Sequence, residues 1–108
     1  MLVTTTGDLH GREIVEELGI VRGSAIRSRH VFHDIAEWIR NLVGAELHHY
    51  TKMMAETREQ ALDRMKEQAR ALGADAVVEL RFEATSIASG AAELLAYGTA
   101  VRLRANQP

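Results

Sequence analysis

Cysteine is absent from all 108 residues, which removes disulfides, thiolate zinc sites and thiol catalysis together and permits a reducing compartment. Any metal bound by this chain therefore needs histidine and carboxylate ligands. No segment gathers lysine or arginine into a run, and 13 basic against 15 acidic side chains leave a formal net charge of −2. Neither nucleic acid nor an anionic membrane is an expected partner for such a surface. No apolar run approaches the length of a membrane span. The opening Met1-Leu2-Val3-Thr4-Thr5-Thr6 lacks the basic start and long apolar stretch of a signal peptide, so the expected location is cytoplasmic.

Signatures of catalysis are missing as well. There is no Gly-x-Ser-x-Gly elbow, His-Glu-x-x-His pair, phosphate loop or dinucleotide fingerprint. Ser24, Ser28, Ser86 and Ser89 have no recognisable base beside them in sequence. Glu16 and Glu17 would alternate across a strand and could not share a site. The expectation is a protein that is not an enzyme.

What is present is an ordinary globular composition, 46% hydrophobic and 26% charged, enough for one domain spanning 1–108 with a single core. Met1 to Thr5 reads as a short strand closed by Gly7-Asp8. Gly11 to Arg27 is open between two readings. Ile14, Val15 and Leu18 before Gly19 suit a short helix, whereas Ile20-Val21 and Ala25-Ile26 suit a strand. Asp34 can cap a short helix in which Ile35, Trp38, Ile39, Leu42 and Val43 share a face before Gly44. A second helix is predicted from about Glu46 to Leu72, its apolar positions Leu47, Tyr50, Met54, Ala61, Met65, Ala69 and Leu72 at helical steps and Gly73 as its left-handed end. A hairpin follows. Ala76, Val78, Leu80, Phe82 and Ala84 alternate with Val77, Glu79, Arg81 and Glu83, Ser89-Gly90 turns the chain, and the return strand sets Leu95, Tyr97, Thr99, Val101 and Leu103 against Leu94, Ala96, Gly98 and Ala100.

That last set is small and apolar, so β-strand 94–100 has no wet face, and a neighbouring subunit is the simplest cover. The long helix points the same way, because about 27 residues rising about 1.5 Å each give roughly 40 Å, more than the breadth of about 30–35 Å of a compact chain this size. A homo-oligomer is the expectation.

The sequence resembles the YbjQ family, which bears a heavy-metal-binding label. The resemblance rests on Val3-Thr4-Thr5-Thr6, on Gly11-Arg12-Glu13-Ile14-Val15-Glu16 leading to Gly19-Ile20-Val21-Arg22-Gly23, on Asp34 and Val43-Gly44, on Ala69-Arg70-Ala71-Leu72-Gly73-Ala74-Asp75-Ala76-Val77-Val78 and on Tyr97-Gly98-Thr99-Ala100-Val101-Arg102-Leu103. It implies an α+β, dodecin-like subunit with two helices on one face of an antiparallel sheet, a pentameric ring, and a long bent strand over the segment left open above. One departure concerns Val43-Gly44-Ala45-Glu46-Leu47-His48-His49-Tyr50, which replaces the family's glycine-rich, arginine-bearing connection. His30 likewise stands where an asparagine is common, so nothing known of that connection carries over.

His30, His33 and Asp34 lie before the first predicted helix, and Glu46, His48 and His49 open the second. Imidazole and carboxylate suit zinc, nickel, copper or iron when three or four converge. His-x-x-His converges within one helical turn, while adjacent His48 and His49 diverge, so at most one of that pair joins. The candidate ligands of a divalent transition metal are His30, His33, Glu46 and His48. Against this stands the plainer reading in which these histidines end helices or face solvent and Asp34 is an N-cap. Met53, Met54, Met65 and Tyr50 read as helix packing, and Trp38 as core or interface. The function expected is a homo-oligomeric binding protein with metal or small-ligand sites near subunit junctions, the alternative being a scaffold ring without metal.

Overall fold

The computed structural model describes residues 1–28, 45–88 and 91–105. Chain order is β1 (Leu2–Val3), β2 (Ile14–Ser28), α1 (Ala45–Ala71), β3 (Ala76–Ala88) and β4 (Ala91–Leu103). The predicted helix from Asp34 to Val43 and the turn at Ser89-Gly90 lie outside the described residues, so of the two expected helices α1 is the one on view. The strands form a four-stranded sheet in the order β1-β3-β4-β2. β1 runs parallel to β3, while β4 is antiparallel to both β3 and β2. The sheet is therefore mixed, not antiparallel as expected. β1 is separated from β3 by all of β2 and α1, a connection long enough to return the chain in the same direction.

The open segment resolves as strand. β2 stays paired with β4 from Ile14 to Ser28, with register shifts between Ile14 and Glu16 and between Glu17 and Gly19. Gly19, at φ 115, accommodates the second bulge and does not end a helix. α1 ends as expected. Gly73 takes φ 78, its amide donates to the Arg70 carbonyl at 2.9 Å and that of Ala74 to the Ala69 carbonyl at 3.1 Å, the paired bonds of a Schellman end.

α1 lies antiparallel along β2, its backbone resting on Gly23. A Cβ at Gly23 would stand 2.2 Å from the Met65 amide nitrogen and 2.3 Å from the Ala61 carbonyl oxygen, so only glycine admits this approach. Around the contact, Val21, Ala25, Ala61, Met65, Ala69, Val77, Leu80, Ala96 and Ala100 form the main core between helix and sheet. Burial of Met65, Val21 or Val77 stabilises the fold by about 1.5–3 kcal/mol each. The small face of β4 is thus covered by the chain's own helix: Ala96 and Ala100 are fully buried against it. That removes the argument for a partner drawn from that face, because the single-carbon side chains of Ala96 and Ala100 let the helix sit close enough to seal it.

The same helix caps the outer edge of β2. The Gln68 side-chain oxygen accepts from the Arg22 amide at 2.7 Å, and Arg64 donates to the Ser24 carbonyl at 2.6 Å. Those groups would otherwise be an open strand edge. A second, smaller core of Ala76, Val78, Val101 and Leu103 lies on the opposite face, closed by Leu9 and Ile14. Beside it the end of β2 is clasped to Arg104, whose amide donates to the Glu13 carbonyl at 2.8 Å while its Nε donates to the Glu13 carboxylate at 2.5 Å.

Two outcomes follow. Gly23→Ala should lower stability by about 3 kcal/mol or more, read from the urea midpoint, since backbone must move on both sides of the new methyl group. The hydrogen bond from Arg104, and then its charge, hold the Glu13 carboxyl below the usual glutamate range. A depressed folded-state value contributes stability above the unfolded glutamate range, lost as pH falls through the folded value. In an NMR pH titration Glu13 should titrate below the usual glutamate range, and Arg104→Gln should return it to that range.

Candidate functional site

Of the four candidate metal ligands, His30 and His33 lie outside the described residues. Glu46 and His48 belong to the first turn of α1, with side chains outside the description. Among the described residues no group of three or more His, Asp or Glu side chains could hold a metal ion. β2 ends at Ser28 beside Ala91, at the hairpin end of the sheet, and α1 runs back along β2 with Arg64 at Ser24 and Gln68 at Arg22. The start of α1 therefore faces the same end of the sheet at which the chain leaves β2 toward His30 and His33.

Along α1, Glu56, Glu59, Asp63 and Glu67 line an open groove with Ala55, Gln60 and Arg64. These carboxylates recur at three- and four-residue steps, which lines them up along one side of the helix.

A different constellation, which sequence reasoning did not find, occupies the middle of the sheet. The β3–β4 register passes from Val78↔Thr99 to Arg81↔Tyr97, so Glu79 and Leu80 together face Gly98. Glu79 takes φ 55, a left-handed conformation unusual for a side chain of its size. This bulge overturns the expected alternation: Leu80 swaps faces and joins Val77 beneath α1, whereas Ala76 and Val78 lie on the opposite side. Gly98 is needed here too, since a Cβ would come within 2.7 Å of Val77 Cγ1 and 2.9 Å of the Val78 carbonyl oxygen.

The opening threonines hold the bulge in place. The Glu79 amide donates to the Thr6 carbonyl and the Leu80 amide to the Thr4 carbonyl, both at 2.9 Å, and the Thr4 amide donates to the Val77 carbonyl at 3.0 Å. The Thr6 hydroxyl lies 2.9 Å from that of Thr4 and donates to the Asp8 carbonyl at 2.6 Å, tightening the turn. Arg81 completes the clamp, its Nη1 donating to the Thr5 carbonyl at 2.9 Å and the Leu80 carbonyl at 2.8 Å. On the open face of the sheet the bulge leaves a hollow of about 220 Å³ lined by Ile20, Glu79, Arg81, Tyr97, Gly98 and Thr99. It offers a carboxylate, a guanidinium, a phenol and a hydroxyl, the equipment of a binding site. The sequence carried one signal of it, a glycine within an otherwise regular β4, which can mark a bulge or a close backbone approach.

Beyond Leu80 no strand among the described residues lies beside the outer edge of β3. On β2 the Arg22 amide and Ser24 carbonyl point away from β4; alternation then turns Tyr97 and Leu95 of β4 toward Arg81 and Glu83. The backbone groups of Phe82 and Ala84 consequently face outward. Phe82 is 43% exposed, and Ile20 and Ile26 on the open face are 79% and 53% exposed.

These features define a small α+β domain with one long helix laid across a mixed sheet of four strands. Residues 1–104 match the YbjQ family, described as "Putative heavy-metal-binding", and the chain belongs to that family. It is 54% identical over 104 residues to a UPF0145 protein of Halorubrum lacusprofundi, covering 96% of this chain and 100% of that one. UPF0145 proteins of Thermosipho africanus and Archaeoglobus fulgidus are 52% and 50% identical, each match covering 96% of both chains. The names of these relatives describe no reaction. The fold is also similar to a crystal structure of a DUF74-family protein of unknown function from Pediococcus pentosaceus, with TM-score 0.61 and 17% identity over 96% of this chain and 98% of that one.

Replacing Glu79 by glycine should relieve the left-handed backbone and raise stability by about 0.5–1 kcal/mol, net of the added chain entropy. A shift of the thermal midpoint upward is the expected readout, and a fall would mean that the Glu79 side chain itself supports the bulge.

Proposed function

We propose that this protein is a homo-oligomeric binding protein, a pentameric ring of dodecin-like subunits, that holds a divalent transition metal near its subunit junctions through His30, His33, Glu46 and His48. The observation that carries the reading is the antiparallel course of α1 along β2, which directs the start of the helix, with Glu46 and His48, to the end of the sheet from which His30 and His33 follow. Three imidazoles and one carboxylate make a set that zinc, nickel, copper or iron accepts. The family's heavy-metal-binding description supports the same chemistry.

Assembly is supported by the open β3 edge at Phe82 and Ala84 and by the exposed Ile26. An exposed edge and an exposed apolar side chain are both surfaces that a further copy of the chain would cover. These features involve none of the four ligands, and so they also favour a second reading, a scaffold ring without metal. No reaction enters either reading, and a cytoplasmic setting suits both.

Native mass spectrometry before and after dialysis against a chelator separates them. The metal reading expects a pentamer carrying about one chelator-sensitive ion per subunit, with His33→Ala and His48→Ala each weakening metal binding by about 10-fold or more. An empty pentamer would leave the scaffold reading, and a monomer would overturn both.

A further inference from the structure

We propose that the hollow at the β3 bulge binds a small zwitterion of the amino-acid type. Glu79 and Arg81 carry opposite charges and line the same hollow, yet no ion pair joins them; among the described residues the pairs formed are Glu16 with Arg102 and Glu13 with Arg104. Opposite charges this near in a strand commonly close on each other. Here the backbone keeps them apart. Arg81 is tethered through Nη1 to the Thr5 and Leu80 carbonyls, while its Nη2 and Nε stay uncommitted among the described residues. Glu79 is turned by its left-handed backbone and set against Gly7, where a Cβ would stand 3.0 Å from Oε1.

A carboxylate and a guanidinium held apart on the rim of one hollow match a ligand bearing an ammonium and a carboxylate. The Thr99 hydroxyl and Tyr97 phenol add hydrogen-bonding capacity, and Ile20 with the Tyr97 ring offers apolar cover for a short side chain. At about 220 Å³ the hollow is smaller than the roughly 300–1,000 Å³ of drug-sized sites, which limits the ligand to a small amino acid. Strain at Glu79 is of the kind that accumulates at binding sites. None of the six lining residues is a proposed metal ligand, so this inference stands apart from the metal reading.

The test is an NMR titration of the full-length, isotope-labelled protein in the presence of a chelator, with L-alanine as probe and acetate and methylammonium as single-charge controls. L-Alanine should shift the Gly98 and Thr99 amides saturably with a Kd on the order of 1 mM, a modest affinity well within the ceiling for so few atoms. Acetate and methylammonium should bind at least about 10-fold more weakly, because each retains one of the two charges. Glu79→Gln preserves side-chain size and every backbone bond of the bulge, and it should weaken alanine binding by about 10-fold, as should Arg81→Gln. Absence of saturable shifts, acetate binding as tightly as alanine, or unchanged binding in Glu79→Gln would each overturn the proposal. Because chelator is present throughout, an empty metal site does not bear on the result.

Discussion

Everything in this fold depends on how closely the backbone of α1 approaches β2. At Gly23 the distance leaves no room for a methyl group, and the neighbouring contacts are made by Ala25, Ala61 and Ala69. Small residues give up side-chain burial, but they let two rigid elements approach until the peptide groups themselves are in contact. The helix then serves two purposes at once: it covers the small face of β4, and its Arg64 and Gln68 reach the edge of β2. A bulkier seam would lift the helix away from both.

The opposite half of the molecule follows a different rule. There the chain's first residues act as a clamp, with three threonine carbonyls receiving the Glu79 and Leu80 amides and the Arg81 guanidinium. The clamp and the bulge are reciprocal, since the extra residue in β3 turns the Glu79 and Leu80 amides toward Thr6 and Thr4, and these bonds in turn hold Glu79 in its left-handed state. The segment Val3-Thr4-Thr5-Thr6, one of those on which the family resemblance rests, is accounted for by main-chain bonding and does not require a role in chemistry.

Much of the architecture was legible in the residues themselves. The helical steps from Leu47 to Leu72 and Gly73 as terminator match α1 to within about a residue at each end, and the hairpin strands occupy the stretches expected, although the bulge at Glu79 breaks the alternation of β3. Two features escaped for identifiable reasons. Gly19 satisfies equally the demands of a helix end and of a bulge, because both need positive φ, and only the pairing with β4 decides between them. Glu79 gave no warning at all, since nothing in a glutamate flanked by valine and leucine announces a left-handed backbone; the cause is the distant threonine segment. The parallel placement of β1 was hidden for the same reason, as two residues carry too little pattern to reveal a partner far along the chain. The candidate histidine set rests on residue type and spacing alone and lies outside the described side chains, whereas the hollow needed three strands to be assembled before it existed.

The pairing of β1 with β3, and of β2 with β4, has a consequence for synthesis on the ribosome. Neither Leu2–Val3 nor Ile14–Ser28 has a strand to join until the final third of the chain has emerged. During that interval β2 is a long ribbon with two vacant sides, the state most exposed to misassociation. Among the described residues α1 is the first element to emerge that can shield it, docking on Gly23 and occupying one side with Gln68 and Arg64. The helix is in this sense a built-in escort, and the hairpin that arrives last completes a structure whose most vulnerable strand is already chaperoned by its own chain.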